Sequence, residues 1–271
     1  MVNLKSTREI ALMRRAGLAV WEAHQIARRM IRPGVTTAAI DRAVAEHFER
    51  LGGQPLFKNY PNSTRNKPPF PAVCCMSVNE AVVHGIPSDR PLQEGDVLSL
   101  DTGVRLGGWC GDSAWTYPVG RIAPEVQRLL DATEGVLMLA IELMKSKSYW
   151  SAIAREMAAY VRDHGFSTVE CFVGHGIGRD MHEDPQVPNF PSRSLRGSGD
   201  FRIEPGLVIA VEPMVNMGTK RVKTLGDFWT QVTADGKPSA HFEHTVAVTT
   251  DGPALLTEAP TPAERATLAA V

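Results

Sequence analysis

The chain has 271 residues, 43% hydrophobic and 22% charged, enough apolar material to bury a sizeable core in one large domain or two packed halves, which argues against disorder. Lys and Arg total 29 against 30 Asp and Glu, a formal net charge of -1, so no global field draws nucleic acid or an anionic membrane, and specificity must come from a local site. The N-terminus MVNLKSTREI lacks an apolar signal region, charges interrupt every long apolar run, and Cys74, Cys75, Cys110 and Cys171 form no C-x-x-C pair; a soluble protein of the reducing cytoplasm is the expectation.

Ser6 with Glu9 reads as a capping box, and Ile10, Met13, Gly17, Val20, Trp21 and His24 then share a helical face up to Pro33-Gly34. Ile40, Val44, Phe48 and Leu51 predict a second helix, stopped by Gly52-Gly53. A polar, proline-rich stretch from Tyr60 to Pro71 precedes strand-like runs at Ala72 to Val78, Val97 to Leu100 and Ala114 to Val119. Pro124 suits the first turn of a third helix that runs through Leu129, Leu137 and Met144, and Ser151 to His164 supplies a fourth, closed by Gly165. Strands are predicted at Val169 to Val173, Leu207 to Val215, Phe228 to Val232 and Phe242 to Thr249. The order helix, helix, strands thus repeats. It predicts one α/β or α+β domain over 1–271, with pseudo-symmetric halves of about 1–120 and 121–271 and a site between them.

Four carboxylates occupy awkward places. Asp101 ends the strand in VLSLDTG, and Asp112 opens another in CGDSAW, so a bent hairpin would bring the pair together. Glu212 in LVIAVEPMV and Glu243 in AHFEHTVAV lie in apolar strands, where an ionised side chain is costly unless paired or metal-bound. Singly, each acid is most simply a turn cap or an arginine partner. Together they would repel and raise one another's pKa values unless comparable positive charge neutralised them. No basic residue lies near three of them in sequence, whereas two divalent cations balance four charges, which favours a dinuclear centre with bridging carboxylates. His175, in VGHGIGRDMHEDPQVP, is the remaining expected ligand. A mostly oxygen shell with one imidazole suits manganese, iron, cobalt or zinc, and leaves the metal's identity open. Two look-alikes are set aside: His241 to His244 lacks the H-E-x-x-H of zincins, and Gly174-x-Gly176-x-Gly178 lacks the last glycine of a dinucleotide loop.

The ordered set NEAVVHGIP, LDTG, GDSAWTYPVG, GHGIGRDMHEDP, AVEPM and FEHTVAV resembles the type I methionine aminopeptidase family over almost the whole chain. The resemblance implies the pita-bread fold, in which two pseudo-symmetric α/β halves, helices packed on curved antiparallel sheet, enclose a dinuclear metal site. It marks Asp101, Asp112, His175, Glu212 and Glu243 as the ligands, with Asp112 and Glu243 bridging. His84 and His182 become active-site residues that do not bind metal: His182 donates to the developing oxyanion, and His84 meets the scissile amide nitrogen. Glu212 passes a proton from the attacking water to the leaving amine. Phe70, Cys75, His84, Met181 and Trp229 match positions around the substrate's methionine side chain, although Phe70, Cys75, Met181 and Trp229, like Cys74, are by themselves most simply core or wall residues.

The implied activity is removal of the initiator methionine from peptides and nascent proteins, with a small second residue preferred. Substrate N-termini are then the partners, transient ribosome contact stays open, and neither nucleic acid nor membrane is involved; a monomer is expected. The segment from Asn59 to Pro69 is longer than in the shortest family members. Proline-specific relatives of the same fold carry an extra N-terminal domain, for which the residues before Asp101 leave no room. Type II enzymes carry a helical insertion between the last two glutamates, and Glu212 and Glu243 are too close to hold it. A pita-bread binding module without catalysis would have replaced ligands, and all five are present here.

Overall fold

The computed structural model of the chain describes residues 2–268. The Ser6 hydroxyl accepts from the Glu9 amide and the Glu9 carboxylate accepts from the Ser6 amide, so the expected capping box opens α1 (Thr7–Met30). Thr36 caps α2 (Thr37–Arg50) by accepting from the Ala39 amide. Next come β1 (Gln54–Pro55), β2 (Cys74–Val78), β3 (Ala81–Val83) and a long hairpin, β4 (Val97–Leu106) and β5 (Trp109–Pro118), which turns at Gly107-Gly108. After α3 (Pro124–Leu143) and α4 (Trp150–Asp163), short strands dominate: β6 (Ser167–Thr168), β7 (Gly174–Gly176), β8 (Glu183–Val187), β9 (Val208–Val211), β10 (Met214–Asn216), β11 (Val222–Thr224), β12 (Gln231–Thr233), β13 (Ser239–His241), β14 (His244–Thr249) and β15 (Gly252–Leu255). α5 (Pro262–Leu268) closes the described residues. None of these helices is long and apolar enough to cross a membrane.

Two antiparallel sheets carry the architecture. One orders β1-β4-β2 with β5 on β4, and the other runs β15-β14-β9-β7-β8. On the first, Val20, Ala23, Ile40, Val44 and Phe48 of α1 and α2 meet Cys74, Met76, Leu98 and Leu100. On the second, Leu129, Leu137, Trp150, Ile153 and Met157 of α3 and α4 meet Val187, Ile209, Val211 and Val246. Truncating a fully buried leucine such as Leu98 or Leu137 to alanine would cost about 2–5 kcal/mol. Gly17 sits in mid-helix, at a propensity cost of about 1 kcal/mol, because α1 crosses β5 there: a Cβ on Gly111 would stand 2.7 Å from the Gly17 nitrogen, and one on Gly17 would overlap the Leu256 carbonyl.

Hydroxyl side chains stitch the two sheets together. Ser113 Oγ donates to the Glu243 carbonyl at 2.7 Å, and the Glu243 amide donates to the Ala114 carbonyl at 2.8 Å. Thr245 Oγ1 accepts from the Asp112 amide at 3.2 Å and donates to the Asp112 carbonyl at 2.8 Å. Thr116 Oγ1 likewise ties β5 to a third, smaller sheet, β13-β10-β6, by bonding both backbone groups of His241. Asp112 and Glu243 are therefore placed against each other by a seam of backbone contacts.

Five sequence expectations are corrected. Asp101 and Asp112 do not sit at strand ends: β4 runs on to Leu106 and β5 starts at Trp109, so both acids are mid-strand. Val169 to Val173 forms no strand, since only the Val169 amide reaches the sheet, at the Met214 carbonyl. The run from Leu207 to Val215 breaks between β9 and β10 at Glu212-Pro213, where proline offers no amide, and the run from Phe242 starts only at His244 because Phe242 and Glu243 lie between β13 and β14. Phe228 has φ 66° and belongs to a turn in which Asp227 accepts from the Trp229 and Thr230 amides, which delays β12 to Gln231.

Candidate metal-binding active site

A cavity of ≈ 250 Å³ is lined by every residue that the resemblance marks for the site: Asp101, Asp112, His175, Glu212 and Glu243 with Phe70, Cys75, His84, Met181, His182 and Trp229. Asp112, His175 and Glu243 form its compact centre, with one donor atom of each lying within 4.8 Å of the others. Glu212 is next to them, its Oε1 3.5 Å from His175 Nε2 and its Oε2 3.8 Å from His241 Nε2. Asp101 pairs in register with Ala114, and Gly103 with Asp112, so the two aspartates are diagonal neighbours on one face of the β4–β5 hairpin. Gly103 leaves room for this, since a Cβ there would stand 2.8 Å from Asp112 Oδ1. The backbone thus brings three of the five expected ligands into a tight cluster and sets Asp101 and Glu212 at its edge.

Charge explains why such a cavity asks for cations. Among the described residues no lysine or arginine is ion-paired with any of the four acids, whose ion-pair contacts are those of Glu212 with His175 and His241. Burial above all, then mutual repulsion, pushes the carboxyls of Asp101, Glu212 and Glu243 well above the usual range, and burial lifts Asp112 to about 7. Asp101 Oδ1, Asp112 Oδ1 and Glu243 Oε1 are buried without a hydrogen-bond partner. Orphaned oxygens of this kind are expensive in a protein interior, and divalent cations among them satisfy all three while restoring their charge. His175 is equally suited to hold a cation, because its Nδ1 lies 2.9 Å from the Gly176 carbonyl, which as acceptor fixes the proton there and leaves the Nε2 lone pair for a metal. Burial holds its imidazole down at about 4, hence neutral near pH 7.

The mouth is built differently. His84 takes φ 59°, a left-handed conformation that is costly for a residue with a side chain. Its ring stands edge-on to Phe172 and Trp229, and burial lowers its pKa to about 4. Phe70, Cys75 and Met181 pack in one small apolar cluster with Phe57 and Ala72, against which Trp229 leans. His182 is the more exposed histidine, yet the groups crowded around its ring lower its pKa by desolvation.

Four further lining residues, Phe57, Tyr60, Pro61 and Ser63, lie in or just before the long proline-rich loop, whose length and composition give no sign of which side chains enter the site. His241, half of the misleading H-x-x-H pair, also reaches the site. It is buried, neither ring nitrogen has a hydrogen-bond partner, and its Nε2 lies 3.8 Å from Glu212 Oε2. The signal that marks Glu212, a polar residue inside an apolar strand, is present at His241 as well and could have found it.

The profile of metallopeptidase family M24 matches residues 11–250. Methionine aminopeptidase 1 of Bacillus subtilis (strain 168) is 43% identical over 259 residues, covering 95% of this chain and 99% of its own. The methionine aminopeptidase of Clostridium perfringens is 46% identical over 257 residues, with the same coverage. The chain belongs to the M24 methionine aminopeptidases. In the crystal structure of the family member from Thermotoga maritima the same fold appears, with a TM-score of 0.88 at 37% identity over 96% of this chain and all of that one. The mixed α/β architecture expected from the resemblance is therefore the family's pita-bread fold. Divalent-metal binding follows from metallopeptidase membership together with the carboxylate and histidine cluster.

Proposed function

We propose that the chain is a type I methionine aminopeptidase that holds two divalent ions, manganese, iron, cobalt or zinc, on Asp101, Asp112, His175, Glu212 and Glu243. The observation that carries this reading is the set of buried, partnerless carboxylate oxygens at the end of an apolar pocket, in a chain so similar along its length to methionine aminopeptidases. The type I assignment is supported by the connection from Glu212 to Glu243, which consists of β10 to β13 and contains no helix.

Bound divalent cations supply Lewis acidity, acidifying water and polarising a carbonyl. Glu212, ionised once cations balance the cluster, takes a proton from the attacking water and hands it to the leaving amine. His182 donates to the carbonyl oxygen as negative charge develops there. His84 contacts the scissile amide nitrogen, its ring held between Phe172 and Trp229. Phe70, Cys75, Met181 and Trp229 enclose the unbranched thioether, and the substrate's α-amino group is bound at the metal end, which confines cleavage to the terminus. The reading includes a monomer in the cytoplasm that acts on N-termini of peptides and nascent proteins.

The test is to chelate the protein, reconstitute it with each metal in turn, count bound ions, and follow free amino acids released from Met-Ala-Ser, Leu-Ala-Ser and Met-Arg-Ser. Metal-dependent release of methionine from Met-Ala-Ser is expected. Comparable turnover of Leu-Ala-Ser, or faster cleavage of Met-Arg-Ser, would defeat the assignment.

A further inference from the structure

Tyr60 has no part in the chemistry described so far, yet it is tied to His182. The phenol oxygen lies 2.7 Å from His182 Nδ1, and the two rings meet edge-on with centroids 5.5 Å apart. Tyr60 is also the best-held residue of its loop. Its amide donates to the Phe57 carbonyl at 2.9 Å, its own carbonyl accepts from the Phe70 amide at 2.9 Å, and the Asn59 amide donates to the Phe70 carbonyl at 2.8 Å, so the loop is cinched at its neck. Beyond the neck, Trp229 Nε1 donates to the Pro68 carbonyl at 2.9 Å, Asn62 Nδ2 donates to the Phe228 carbonyl at 3.1 Å, and Lys67 lies 3.5 Å from the centre of the Phe228 ring. The loop is thereby strapped across the mouth, with the Tyr60 hydroxyl aimed at a fixed point.

A neutral imidazole carries one N–H, and which nitrogen bears it is decided by what the other nitrogen meets. A phenol that donates to Nδ1 puts the proton on Nε2. Partial burial raises the Tyr60 pKa further above 10, so the hydroxyl keeps its proton throughout the neutral range. The His175 ring also packs against His182, perpendicular with centroids 4.4 Å apart.

We propose that Tyr60 is a positioning residue: its hydroxyl holds His182 in the Nε2–H tautomer and in the orientation from which Nε2 donates to the developing oxyanion. The proposal rests on the role given to His182 above. Tyr60→Phe keeps the ring and removes only the hydroxyl. Loss of one neutral hydrogen bond predicts a fall in kcat on Met-Ala-Ser of about five- to tenfold, with KM, metal content and Tm nearly unchanged. In a His182→Ala background the same substitution should cost nothing more, because there is no imidazole left to orient. The nitrogen-15 spectrum of His182, recorded on metal-free and zinc-loaded protein, should show the Nε2–H tautomer in the wild type and a mixture in Tyr60→Phe. A rise in KM with unchanged kcat, or equal losses in both backgrounds, would make Tyr60 a wall residue only. An Nδ1–H tautomer in the wild type overturns the proposal whatever the activity. A wild-type chain that is inactive on methionine peptides, but whose Nε2–H tautomer is lost in Tyr60→Phe, overturns the aminopeptidase reading alone.

Discussion

The metal end of the cavity and its mouth are built on opposite plans. Asp112 and Glu243 sit on or beside β5 and β14, 3% and 2% exposed, with backbones locked by Ser113, Thr245 and the Ala114 carbonyl. Tyr60, His84, His182 and Trp229 lie outside the strands, and two of them, Tyr60 and His182, are exposed. Charged groups that must converge within a few ångströms need a rigid scaffold, because a small displacement leaves a buried carboxylate unpaired. Groups that read a substrate must meet solvent first, so they are carried on connections held by local hydrogen bonds. Changes at the metal end should therefore act through metal content, and changes at the mouth through kcat or KM with the metal retained.

The largest expected effect is at the metal end. Asp112→Asn, Glu243→Gln or His175→Ala should abolish peptidase activity and lower metal stoichiometry together; full activity in any one of them under metal-replete conditions would remove that residue from the ligand set. Next is His182→Ala, which should keep near-native metal content and lower kcat by about 10²–10³-fold with a much smaller change in KM. A normal kcat in that variant, fully metallated, would reduce His182 to a support for its loop. His182→Gln, which keeps a donor, adds a control: if loop support were the only role, it would recover stability and activity alike.

A smaller change is expected at the pocket wall. Trp229→Ala removes the ring that leans on Phe70, 5.3 Å between centroids, and should lower kcat/KM for Met-Ala-Ser by about two- to tenfold, the range of one sulfur–aromatic contact. Discrimination against Leu-Ala-Ser should narrow in step; an unchanged Met-to-Leu ratio would remove Trp229 from the methionine pocket.

A further effect is on stability and reverses with metal. Asp112 is lifted to about 7 from a usual 3.8 in the protein without cations. A carboxyl whose folded pKa is raised contributes stability that is present below 3.8 and is lost as pH climbs through about 7, because the folded state binds the extra proton. Chelated wild type should therefore lose Tm relative to chelated Asp112→Asn between those two values, and saturating metal should reverse their order at pH 8. Melting curves for the two proteins that stay parallel across this range would show that Asp112 titrates normally.

Much of this plan is legible in the sequence. Acids inside apolar strands, such as Glu212 in LVIAVEPMV, are conspicuous because burial of charge is so costly. The capping box at Ser6 and Glu9 and the breaker at Gly52-Gly53 are local signals, and α1 begins and α2 ends within a residue or two of them. His241 escapes because sequence spacing tests one known motif at a time, whereas burial beside Glu212 is a property of the fold. Tyr60 escapes for a related reason: its partner is 122 residues away, and a proline-rich loop has no periodicity from which a direction could be inferred.

Residue chemistry by itself thus determined that Asp101, Asp112, Glu212 and Glu243 are acids in apolar surroundings for which cations are the natural partners. Only the tertiary structure decided how they meet. The diagonal register of Asp101 and Asp112 across β4 and β5, the hydroxyl seam that sets Asp112 against Glu243, and the strap that aims Tyr60 at His182 all depend on contacts between distant segments. Such contacts are set by packing and hydrogen-bond geometry in three dimensions, which local propensity and spacing do not encode.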